Sequence, residues 1–164
     1  MDKSSKLKHS KPCSMKIEFN DSLRSIDLEN ILIGTRMIYQ HELARQYGMK
    51  TRDFTNFTRI TGVEKGSIDV FYNIITDPAV IAAGVGLAAS VVNLTAAVIS
   101  LLSETIKSNN QEKRPIEIHI HNYQTALRNI DCITFTEEGM RTKVWYDHNG
   151  VLNFTQEIVN QQSK

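Results

Sequence analysis

Two histidines stand two residues apart in "PIEIHIHN", where Ile116, Ile118 and Ile120 alternate with Glu117, His119 and His121. Read as a strand, the alternation puts His119 and His121 on one face, about 7 Å apart, a spacing at which two imidazoles can share a metal. Asp147 and His148 are the other candidate ligands, and a histidine-dependent metal hydrolase is the reading they would serve. No further ligand follows at a recognisable spacing. The polar side of a half-exposed strand accounts for the pair, so no metal is assigned.

The other reactive side chains are equally plain. Cys132 would need a histidine partner to act as a nucleophile, and no flanking motif marks it; a small buried residue leading a strand is the ordinary alternative. Glu137 and Glu138 are neighbours at a turn, where both carboxylates are expected to be solvated, not paired for acid–base work. "GVG" (Gly84 to Gly86) lacks the lysine and spacing of a phosphate loop. No catalytic residue and no cofactor is assigned, and the chain reads as non-enzymatic. One binding patch does stand out. In "MRTKVWY", Arg141, Lys143 and Trp145 fall on one face of a strand and Thr142, Val144 and Tyr146 on the other. Two cations beside an indole could hold a partner, protein before nucleic acid, although aliphatic stems covering an aromatic ring would look the same.

These residues must be carried by a fold, and composition bounds it. The 164 residues are 41% hydrophobic and 23% charged, ordinary values for a folded chain, and suit one domain. A formal net charge of +1 gives no general attraction to nucleic acid or acidic lipid, so nucleic acid is not an expected partner. Cys13 and Cys132 form no disulfide framework, and no export signal precedes them, which suits a reducing compartment. Met1 to Ser14 reads as a solvated basic tail. Its lysines, with Lys16, are available to acidic surfaces.

The domain is expected over residues 15–159, with 160–164 fraying. "MKIEF" (Met15 to Phe19) reads as a strand. "SIDLENILIGTRMIYQHELARQYG" follows as a helix, capped by Ser25 or Asp27 and stopped at Gly48. Its apolar stripe runs through Leu28, Ile31, Leu32, Thr35, Ile38 and Tyr39. Gly34 weakens this helix unless a neighbour packs closely there. Two strands meet around Glu64-Lys65-Gly66, and a long apolar helix then spans residues 78–107. After "PIEIHIHN" a meander turns at Glu137-Glu138-Gly139 and again at Asn149-Gly150, the second expected to be type I′. The fold class is α+β: strand, helix and hairpin, one long apolar helix, then a C-terminal antiparallel meander. Halves of some sixty residues are small for separate cores, which favours one sheet with helices on one face.

The long helix raises the largest functional question. Pro78 to Ser103 carries no charge between Asp77 and Glu104, and an apolar helix of about 20 residues can cross a bilayer. A narrow stripe through Gly86, Ser90, Asn93, Ala97 and Ser100 holds only small or polar side chains at heptad spacing. In lipid that seam would be a self-association face locked by Asn93. The expectation is thus a membrane-inserted helix, with self and the bilayer as partners and an unidentified protein bound by the flanking segments. The alternative is a soluble, cytoplasmic, homo-oligomeric protein-binding module with the helix buried in its core.

"VEKGSIDV", "DPAVIAAGVGLAA" and "RPIEIHIHN", in this order of elements, resemble small accessory (effector-associated) modules of bacterial conflict systems. The resemblance implies a non-catalytic adaptor or a membrane-acting effector in bacterial defence. "KSNNQEKR" stands where such modules carry an arginine-rich flank, so no functional residue is carried over from them.

Overall fold

The computed structural model describes residues 9–47, 54–76, 93–103 and 115–159. Strand β1 (His9–Glu18) leads into helix α1 (Ser25–Tyr47), and β2 (Phe54–Glu64) and β3 (Ser67–Thr76) form a hairpin. Two shorter helices follow, α2 (Leu94–Leu102) and α3 (Pro115–Arg128). The chain ends in the meander β4 (Cys132–Glu137), β5 (Met140–Tyr146) and β6 (Leu152–Ile158). All strand pairs are antiparallel, in the order β2-β3-β1-β4-β5-β6. The class is α+β, and one sheet is assembled from both halves of the chain, with β1 joining them.

Alternation along the strands sets the two faces. Cys13, Met15 and Ile17 on β1, Ile68, Val70 and Tyr72 on β3, and Ile133 and Phe135 on β4 point into the core. The buried stripe of α1 (Ile31, Thr35, Ile38, Tyr39) and that of α3 (Ile116, Ile120, Tyr123, Leu127) pack with them. Strand β1 begins at His9, so residues 9–14 of the expected tail lie in the sheet and Cys13 is a core residue. Residues 1–8 and the expected fraying at 160–164 lie outside the described residues, as does Gly48.

Gly34 sits where α1 meets α3. A Cβ there would lie 2.4 Å from Cδ2 of Tyr123, so hydrogen is the only side chain that lets the helices approach this closely. The Tyr123 hydroxyl is fully buried, 3.1 Å from Oγ1 of Thr35. Thr35 donates its own proton to the Ile31 carbonyl, so the phenol donates to Thr35. Burial holds that phenol well above its ordinary pKa.

Three further segments differ from expectation. "PIEIHIHN" is not a strand but the start of α3. Ile116, Ile120, Tyr123 and Leu127 recur at helical spacing and are buried, while Ile118, which the alternation would also bury, is exposed. Pro115 at the first helical position and the good helix formers of "YQTALR" outweigh the β-branched isoleucines.

One continuous apolar helix over 78–107, and with it the membrane insertion expected of it, is overturned at Asn93; residues 78–92 and 104–107 lie outside the described residues. Asn93 is extended (φ −86°, ψ 117°), and its side chain accepts the amide of Ala96 as the N-cap of a nine-residue helix. At 1.5 Å per residue such a helix reaches about 14 Å, half of a hydrocarbon core. No helix among the described residues is long and apolar enough to cross a membrane. Leu94, Val98, Leu101 and Leu102 are buried in the protein's own core.

The type I′ turn is also misplaced. It forms at Glu138-Gly139, where both residues have positive φ (51° and 75°). At Asn149-Gly150 only the glycine does (φ 74°), in a wider loop organised by Asp147. That carboxylate accepts the amide of Val151, the side-chain amide of Asn153 and the amide of Asn149, which hold it below the usual aspartate range.

Candidate partner-binding face

The helices cover one side of the sheet. No described element covers the other, and cross-strand register arranges its side chains in rows. One row runs Arg59, Phe71, Ser14, Thr136, Arg141, Glu157; the next runs Asp69, Lys16, Thr134, Lys143, Thr155. A shallow trough of about 590 Å³ lies among Ser14, Lys16, Thr61, Asp69, Thr134, Thr136 and Arg141. A smaller one of about 240 Å³ continues it past Lys143 and Thr155. Thr134 and Arg141 line both, so a single polar furrow crosses the open face.

Arg141, Lys143 and Trp145 stand together on this face. Arg141 pairs with Glu157 at 2.8 Å with both side chains about half exposed. The Lys143 ammonium lies 5.6 Å from the centre of the Trp145 ring. A second cation–aromatic pair, Arg59 over Phe71 at 5.7 Å, sits toward the opposite edge. An exposed ion pair of this kind contributes about 0–1 kcal/mol, so Arg141 can exchange Glu157 for a carboxylate brought by a partner at little cost.

The sequence reading missed Ser14, Lys16, Asp69, Thr134 and Thr136. The signal was present, because each alternates with a buried apolar residue. It became legible only once "SMKIE" was seen to pair with both "SIDVF" and "CITFT".

The other candidates do not come together. His119 and His121 lie on helix α3, where a two-residue step separates side chains by about 200°, and the shared-ligand geometry is lost. Among the described residues no group of three histidine, cysteine or acidic side chains is placed to hold a metal. Cys132 is buried and donates to Oε2 of Glu18 at 3.0 Å; burial, then the carboxylate, pushes its pKa up to about 12. Such a thiol is a poor nucleophile at neutral pH.

Glu137 is not solvated as expected. It is buried, and its Oε2 accepts the amide of Leu94 at 3.1 Å, so β4 offers a carboxylate to the N-terminal end of α2. At the other end, Nε2 of Gln124 donates to the Leu102 carbonyl at 3.0 Å. Of the expected seam, Asn93 is a helix cap, Ala97 is buried, Ser100 is exposed, and Gly86 and Ser90 lie outside the described residues.

No protein-family model matches the chain, and neither a curated protein nor a solved structure matches it.

Proposed function

We propose that this chain is a non-catalytic binding module that holds a partner protein on its open sheet face and works as a homo-oligomer, with α2 inside its core. The observation that carries the reading is the asymmetry of the sheet. One face is filled by three helices, and the other presents Lys16, Arg141 and Lys143 with an indole and a row of hydroxyls around a polar furrow. Mixed charge, hydrogen-bonding side chains and one large aromatic anchor suit a protein surface. Among the described residues, burial and Glu18 keep the Cys132 thiol protonated, and helix α3 separates His119 from His121, so neither is poised for the chemistry its residue type suggested. An adaptor role is also what the likeness to accessory modules of conflict systems implies.

The test is photo-crosslinking in cells. A benzophenone amino acid in place of Trp145 should capture a discrete protein, and the same probe in place of Ile118, exposed on α3, should not. Equal capture from both positions, or none from residue 145, would refute the reading.

A further inference from the structure

Among the described residues strand β6 is an edge of the sheet, and Glu157 is its one charged side chain. "LNFTQEI" has no proline and no lysine, and its pairing with β5 runs without a bulge. The other edge differs: β2 carries a register break between Ile60 and Gly62. Backbone hydrogen bonds at both ends of β6 fix which of its residues face outward. Asp147 N–H donates to the Val151 carbonyl, and Val159 N–H donates to the Gly139 carbonyl. Residues 151 and 159 thus turn their backbone groups to β5, as do 153, 155 and 157 between them. Leu152, Phe154, Gln156 and Ile158 direct their N–H and C=O groups away from the sheet. Phe154 and Ile158 also expose large apolar side chains on the helix side, 51% and 76% accessible.

We infer that β6 pairs antiparallel with β6 of a second copy of this chain, about a two-fold axis at Thr155, joining two six-stranded sheets into one. The inference rests on the homo-oligomeric reading above and names the surface that makes it. The occupant is a second copy because the strand is complementary to itself in this register. All seven residues pair, and the outward backbone groups of 152 and 154 meet those of 158 and 156 of the copy. On the helix side Leu152 opposes Ile158 twice. On the open side Thr155 opposes itself and Asn153 opposes Glu157. The strand's one charge therefore never meets its like, and threonine pairs of this kind are favourable. A pairing that set an outward residue against one bonded to β5 would form no ladder, because only one partner would have its backbone groups at the edge.

Cysteine crosslinking with sedimentation equilibrium tests this on the whole chain. Thr155 would form a non-hydrogen-bonded pair with its own copy, with Cα atoms about 4.5 Å apart, where a disulfide closes readily. Thr155→Cys should give a reducible dimer, whereas Gln156→Cys, which faces Phe154 of the copy, should not. Gln156→Pro removes an outward N–H without touching the β5 ladder and should sediment as a monomer. Thr155→Lys, which sets like charges against each other at the axis, should do the same and covers the case in which the proline variant fails to fold. A dimeric wild type whose Thr155→Cys form does not crosslink, or whose Thr155→Lys form stays dimeric, overturns this interface and leaves the homo-oligomeric reading standing. A wild type that remains monomeric at hundreds of micromolar overturns both.

Discussion

At the scale of single residues, two small side chains decide more than the conspicuous ones. Gly34 is a poor helix former by propensity, and alanine would gain up to about 1 kcal/mol in an isolated helix. Here a methyl group would meet the Tyr123 ring at 2.4 Å, and that ring is locked by burial and by Thr35. Overpacking of a filled core costs about 1–3 kcal/mol, so the contact wins. Gly34→Ala should lower the urea midpoint, and an unchanged or raised midpoint would show that the two helices can move apart. Cys132 reads in the opposite direction. It is the kind of residue that invites a catalytic hypothesis, yet its proton is held by burial and by Glu18.

At the scale of elements, the decisive feature is the start of α2. Asn93 caps the helix through Ala96, and Glu137 takes the amide of Leu94. Asn93→Ala should cost about 1 kcal/mol of stability in chemical denaturation, the usual worth of an N-cap. A loss within experimental error would mean that Glu137 alone satisfies the helix start. What could be read in advance follows from the same physics. Helix α1, the β2–β3 hairpin and the meander are legible because periodicity, glycines at turns and apolar alternation agree there. "PIEIHIHN" is not, because isoleucines at 116, 118 and 120 satisfy the period of a strand while 116, 120, 123 and 127 satisfy that of a helix. The apolar run is misread for a related reason. Hydropathy averages over a window and passes over one asparagine whose backbone departs from the helix. The candidate face was half legible: Arg141, Lys143 and Trp145 lie on one short strand, whereas Lys16, Thr134 and Thr136 join them only through pairings distant in sequence.

At the scale of the whole molecule, the acid limb of stability should depend on Asp27. Its buried carboxylate accepts Nε and Nη2 of Arg24 at 2.8 and 3.1 Å and Nδ2 of Asn129 at 3.3 Å, tying the start of α1 to the loop after α3. The Arg24 hydrogen bonds hold its pKa below the ordinary value, against the opposing effect of burial. Its contribution is therefore complete above the unfolded pKa of about 3.9 and is lost as pH falls through the folded value. Asp27→Asn should flatten the thermal-melting profile in that acid range, and a profile with the same slope as wild type would place the acid sensitivity elsewhere. The central strand has a consequence of another kind. Strand β1 lies between β3 and β4, and Glu18 meets Cys132 across 114 residues of sequence. At roughly 5–20 residues per second, a ribosome needs on the order of ten seconds to deliver that partner. Throughout that interval the growing chain holds this inner strand with one edge bare, so the newborn protein, unlike the finished one, depends on something else to shield it.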